Sequence, residues 1–160
     1  MMKKIKFIFL SLISLFFLSC ESVYLDLNNV HCEIDKRSYQ KEESIKLTCY
    51  GNFKDHDDVG IVYIFLYVDK IINNEHESVS STGFTIKTYG SFQDDSEHCY
   101  GEGYSAFIKN DEKMTDFNNS IVFCIHEPGN YELSVEFRGS TDNHPYGGIR
   151  RFTLPITITE

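Results

Sequence analysis

The chain has 160 residues, 24 acidic against 15 basic side chains, and a formal net charge of −9 at pH 7. That length holds one ordinary domain with a single core. The acidic balance argues against a general basic surface, and with it against nucleic acid or anionic lipid headgroups as partners.

The chain opens with an export pattern. Lys3, Lys4 and Lys6 make a cationic start, an apolar run extends from Ile5 to Leu18, and small residues precede a cut. The run is shorter than the roughly 20 residues that a spanning helix needs. Its end, "FLSC" with Ser19 before Cys20, resembles the lipobox of bacterial lipoproteins, with Phe17 where that family usually has Leu. The resemblance implies that Cys20 carries a diacylglyceryl thioether and becomes the first residue of the mature chain. It also implies an exported protein anchored by lipid in a bacterial membrane, at the periplasmic face or the cell surface. One acyl chain holds a membrane marginally, whereas two give stable anchoring.

Removing residues 1–19 takes away three basic and no acidic side chains. What remains is 141 residues with 12 basic against 24 acidic groups, a formal charge of −12. Residues 20–29 read as a lipidated tether and residues 30–160 as the folded domain. Four cysteines stay with the mature chain: Cys32, Cys49, Cys99 and Cys124. An even count in an oxidising compartment suggests two disulfides, with three possible connectivities. Cys32–Cys49 with Cys99–Cys124 is preferred, because each pair would join neighbouring segments. Zinc is the rival, since His31 and His98 each adjoin a cysteine, although no C-x-x-C pair is present.

The elements that follow read as strands. "SIKLTCY", residues 44–50, alternates Ile45, Leu47 and Cys49 with polar residues. "GIVYIFLYV", residues 60–68, is apolar on both phases. It reads as a central strand, either covered on both faces or left with a sticky outer face. Residues 69–119 are rich in Asn, Ser, Gly and acids and read as long loops with short strands. Within them "NDEKMTDF", residues 110–117, offers a helical turn capped by Asn110 or Asp111. "NYELSVEF" then alternates Tyr131, Leu133, Val135 and Phe137, and "RFTLPITIT" alternates Phe152, Leu154, Ile156 and Ile158. Pro155 falls on the outward phase, which suits an edge, because proline cannot donate to a ladder.

This spacing resembles an immunoglobulin-like antiparallel β-sandwich, an all-β fold. "EESIKLTCYG" resembles its second strand, with Cys49 at the inward cysteine position. "EPGNYELSVEF" resembles the turn into its sixth, with Tyr131 two residues before Leu133, as the corner tyrosine stands two before the second cysteine. Leu133 replaces that cysteine and the chain has no Trp, so the resemblance is to bacterial extracellular modules rather than antibody domains. It implies that Tyr63 or Phe65 fills the tryptophan's place. Such sandwiches host many unrelated roles.

Candidate chemistry is sparse. "GEGYSA", residues 101–106, fits G-x-G-x-x-A, but a dinucleotide loop needs a buried strand before it and a helix after it. Its glycines read as turn formers. Asp55, Asp57 and Asp58 cluster around His56, and Asp94 and Asp95 form a second acidic stretch. Hard oxygens of this kind suit calcium as a cofactor, although the D-x-[DN]-x-[DN]-G loop is missing. No Ser–His–Asp pattern is recognisable. Tyr100, Tyr104 and Tyr146 sit in glycine-containing stretches that suit ligand contact, because tyrosine gives area at low entropic cost. The alternative is that they fold back as minor core.

These readings make the protein a non-enzymatic, lipid-anchored envelope domain that binds a protein or glycan. Two alternatives stand beside it. One is a structural subunit of an envelope assembly, docking through the outer phase of residues 60–68. The other is a metal-dependent hydrolase using the acidic loops.

Overall fold

The computed structural model describes residues 27, 29–54, 60–80, 82–94, 103–109, 114–141 and 148–160. Among them the chain is all-β. Its strands are β1 (His31–Ile34), β2 (Ser38–Gln40), β3 (Ile45–Lys54), β4 (Gly60–Ile72), β5 (Glu75–Ser78) and β6 (Phe84–Thr88). They continue with β7 (Gln93–Asp94), β8 (Tyr104–Lys109), β9 (Met114–Ile125), β10 (Gly129–Thr141) and β11 (Ile149–Thr159).

Two sheets face each other. The smaller has the order β1-β3-β9-β6, and the larger β2-β11-β10-β4-β8-β7, with β5 also pairing β4. This is the immunoglobulin arrangement. The segment expected as the second strand is β3, inside the smaller sheet. The segment expected as the sixth is β10, at the centre of the larger. The layers meet through side chains on alternate positions: Ile45, Leu47 and Cys49 from β3, Val62, Ile64, Leu66 and Val68 from β4, and Leu133, Val135 and Phe137 from β10. Aromatic rings fill the middle, with Phe84 edge-on to Phe123 at 6.4 Å and Phe137 edge-on to Phe152 at 6.0 Å. Leu27 and Val30 also belong to this core, so the folded domain reaches back into the segment expected as tether.

The local turns follow from residue chemistry. Asn73 and Asn74 have φ of 54° and 67°, the pair of left-handed residues of a type I′ hairpin, and they join β4 to β5. Gly51 has φ of 136°, and a Cβ there would lie 2.0 Å from the Asn29 carbonyl oxygen. Glycine at this point lets the chain entering β1 pack on β3. Pro155 is exposed opposite Glu132 of β10. Thr157 donates its N–H to the Arg37 carbonyl on the β2 side. Pro155, two residues earlier, therefore directs its nitrogen to the same side, before the parallel pairing with β2 begins at Thr157. No ladder bond to β10 is lost.

Two expectations are corrected. The described part of "NDEKMTDF", Met114–Phe117, belongs to β9 and pairs with Gly51–Lys54 rather than forming a helical turn. The ladder satisfies the backbone, and Phe117 packs 6.3 Å from Phe137, whereas one isolated helical turn is marginal in water. Tyr63 and Phe65 do not occupy the tryptophan's place. The register sets Ile64 opposite Phe137 and Leu66 opposite Val135, so these enter the core and the two rings point outward.

Tyr131 is fully buried, and its hydroxyl donates to the Glu127 carbonyl at 2.8 Å, four residues upstream. This is the tyrosine corner. Tyr131→Phe should lower unfolding free energy by about 1 kcal/mol, the net value of one buried hydrogen bond whose acceptor is left unpaired. Urea denaturation checks it, with an unchanged slope expected.

Candidate interaction face

The outward phase of β4 carries Ile61, Tyr63, Phe65 and Tyr67, all half-buried. An outward strand face normally alternates to polar residues. Here it bears a row of rings: Tyr63 and Phe65 stack at 6.4 Å and 29°, Phe65 and Tyr67 at 6.4 Å and 11°. Phe107 of β8 lies opposite Tyr63, with centroids 6.2 Å apart. Gly103 serves this row. A Cβ there would stand 2.7 Å from the Tyr67 ring, so the glycine makes room for the ring rather than for a phosphate. No helix follows it: Tyr104–Lys109 is strand, and the nucleotide reading of "GEGYSA" has no support. Ser105, opposite Phe65, is fully buried, and among the described residues its hydroxyl has no hydrogen-bond partner.

A charged group continues the face onto β10 and β11. Phe65 pairs in register with Glu136, Tyr63 with Arg138, and Glu136 with Arg151. The Arg138 guanidinium lies 4.8 Å from the Phe65 ring centroid, a cation–π contact. Glu136 is buried and accepts from Nε of both Arg138 and Arg151. Burial pushes its carboxyl up, but the Arg151 and Arg138 bonds outweigh that and leave it below the ordinary 4.5. The result is a patch about four strands wide with aromatic rings at one side and fixed arginines at the other. Aromatic residues and arginine are the types enriched where proteins meet.

Elsewhere the structure sorts the candidate residues as follows. Cys20, Cys99, Tyr100, Tyr146, Asp55, Asp57, Asp58 and Asp95 lie outside the described residues, as do His56 and His98. Asp94 is exposed in β7. Tyr104 belongs to β8 and packs edge-on against Phe84 at 4.8 Å, at the margin of the core rather than in a ligand loop. Cys32 and Cys49 face each other across β1 and β3, both buried, with Sγ atoms 2.8 Å apart. As thiols, their mutual hydrogen bond and then burial push the Cys32 ionisation far up. Cys124 is buried in β9 with its Sγ 3.6 Å from Glu42 Oε2. His31 stacks on Tyr50 at 5.6 Å and does not join the cysteine pair in a metal cluster among the described residues. A groove of about 370 Å³ lies where β2 meets β11, and Arg37 is the one charged group among its lining residues.

The fold has counterparts among solved structures. A cohesin module of a family 33 glycoside hydrolase from Clostridium perfringens aligns with a TM-score of 0.51 at 9% identity, over 87% of this chain and 99% of that one. The likeness is one of fold. A non-cellulosomal cohesin from the archaeon Archaeoglobus fulgidus aligns at 10% identity and a TM-score of 0.49, over 82% of this chain and 92% of that one. No protein-family model and no curated protein sequence matches the chain.

Sequence reasoning placed the sticky outer phase of residues 60–68 but not its arginine border. The signal was there in "EFR" and "RRF", where Glu136, Arg138 and Arg151 share the outward phase of strands whose other phase is apolar.

Because the folded-state ionisation of Glu136 lies below its unfolded value, its stabilisation is present above about pH 4.5. It is lost as pH falls through the folded-state value. Glu136→Gln should cost about 1–2 kcal/mol at pH 7, since both arginines are half or more exposed and screen the pair. Urea midpoints measured from pH 7 to pH 3 should show the two proteins converging at the acid end.

Proposed function

We propose that the mature chain is a lipid-anchored, non-enzymatic domain of the bacterial cell envelope that binds a protein partner through the aromatic face of β4 and β8. The observation that carries this reading is the row Tyr63, Phe65 and Tyr67 with Phe107, kept half-buried on a phase that water-facing strands fill with polar residues. Rigid rings give contact area at little entropic cost, and arginine at their border adds directional bonds. A protein is favoured over a glycan because Arg138 and Arg151 are partly satisfied by Glu136, as in the charge-paired rims of protein interfaces. The sandwich fold is compatible with this role but does not specify it.

The anchoring part rests on residues 1–20, whose cationic start, apolar run and Ser19–Cys20 junction resemble a lipobox. Export would deliver Cys32 and Cys49 to a compartment where their side chains, already in contact, oxidise. The S–S bond forms as two electrons and two protons pass to a thiol–disulfide oxidant of that compartment. Closing the 17-position separation would add about 3 kcal/mol by restricting the unfolded chain.

Mass spectrometry of the membrane fraction tests both chemical claims together. The expected result is a diacylglyceryl Cys20 as the mature N-terminus and an unreduced peptide joining Cys32 to Cys49. An unmodified N-terminus removes the anchor, and free, alkylated Cys32 and Cys49 remove the disulfide.

The binding claim calls for a photo-cross-linking residue at Phe107, compared in intact cells with the same residue at Thr48 on the smaller sheet. One recurring protein adduct from position 107, abolished by Phe65→Ala, is the expected outcome. Adducts of equal yield from both sheets, or none from position 107, would count against this face.

A further inference from the structure

We propose that Glu42, Cys124 and His126 form a zinc site on the outer side of the smaller sheet. The site is separate from the aromatic face and stands whether or not that face binds a partner.

Cys124 stands in β9 and His126 directly after its last residue, and both side chains meet Glu42 while Phe123 and Ile125 enter the core. Cys124 is only 4% exposed, yet it lies outside the connected cluster of apolar side chains between the sheets. A polar group lies against it instead: Glu42 reaches across from the turn between β2 and β3. Oε2 of Glu42 lies 3.6 Å from Sγ of Cys124 and 3.0 Å from Nδ1 of His126, and Oε1 lies 2.9 Å from the same nitrogen. One donor atom from each of the three residues falls within 4.8 Å of the others. A tetrahedral zinc with sulfur, nitrogen and oxygen donors at about 2.0–2.3 Å needs them roughly 3.3–3.6 Å apart. The Sγ–Oε2 and Oε–Nδ1 separations are within a few tenths of an ångström of that spacing.

The surroundings hold the three groups in place. Glu42 has φ of 65°, left-handed for a residue that is not glycine, and such strain persists where neighbours enforce it. Its N–H donates to the Ile125 carbonyl at 3.2 Å, and the adjacent Lys41 N–H donates to Thr159 at 2.9 Å. The His126 N–H is fixed on the Gly83 carbonyl at 3.0 Å. The Thr85 hydroxyl lies 2.9 Å from Nε2 of His126, the outer partner that orients a metal-binding imidazole. A thiolate and a carboxylate carry two negative charges, which balance one divalent ion. Lys87, held on Ser44 at 2.9 Å, adds a positive charge on this side of the sheet. Zinc binding would release the thiol proton, and the Nδ1 proton where that nitrogen carries one, to water. Sulfur, imidazole and carboxylate donors together select zinc over calcium or magnesium. Glu42 and His126 are 55% and 30% exposed in their side chains, so the ion has an entry path and the fourth position is open to water.

The test uses the full mature protein, stripped of metal by a chelator and titrated with cobalt and then with zinc. The expected result is one equivalent bound, with a thiolate-to-cobalt charge-transfer band that zinc bleaches, and a higher melting temperature with zinc. Cys124→Ser should lose the band and Cys49→Ser should keep it. Should Cys124→Ser fail to fold, His126→Ala, at a more exposed position, carries the same expectation. Thr85→Val should weaken zinc by roughly tenfold through loss of the orienting bond. The proposal is overturned by a protein that takes up neither metal, by a band that survives in Cys124→Ser or folded His126→Ala, or by peptide mapping that finds Cys124 in a disulfide with Cys99.

Discussion

The antiparallel ladder between β4 and β10 runs without interruption from Gly60 opposite Thr141 to Ile71 opposite Asn130. Strand side chains have a period of two, so this one register decides the side of every residue on both strands. It sends Val62, Ile64, Leu66 and Val68 inward against Phe137, Val135 and Leu133. In the same stroke it lines Tyr63, Phe65 and Tyr67 up with Arg138, Glu136 and Ser134 outside. A slip by one residue would bury Glu136 and Arg138 among apolar side chains with no water to take their charge, at a cost no packing gain could offset. The aromatic face thus follows from the same register that makes the core.

Much of the sandwich was legible because its long strands alternate. Ile45, Leu47 and Cys49, then Tyr131, Leu133, Val135 and Phe137, fall on the buried phase as their spacing implies. The proline in β11 stands on the outward phase, and the corner tyrosine makes the bond its position suggested. Other features were hidden for physical reasons. Residues 60–68 are apolar on both phases, so periodicity could not say which rings turn inward; only pairing with β10 and β8 decides that. Met114–Phe117 reads as part of a capped turn locally, but β3 offers it a partner that lies sixty or more positions away in sequence. Asn73 and Asn74 are a hairpin signal that polar surroundings masked.

The cysteines show the limit of counting. Cys32 and Cys49 meet because β1 and β3 are neighbours in register, which strand order predicts well. Cys124 lies at the end of β9, where Glu42 and His126 converge from separate turns, and no spacing rule links position 42 to positions 124 and 126. Loop-borne groups brought together by a scaffold are the ordinary way that sites arise in sandwiches, and they are the part of a protein that a linear reading sees least.

Pro155 has a consequence beyond its own strand. Among the described residues the outer border of β11 is unpaired ahead of β2, and such a border invites a second chain to add itself as one more strand. The ring nitrogen of Pro155 removes a donor from the middle of that row, and Arg151 with Arg150 places two like charges beside it. Molecules crowded together in two dimensions on a lipid surface meet far more often than molecules in dilute solution. A border that refuses to template its neighbour would let a domain anchored as proposed stay folded and separate at that density.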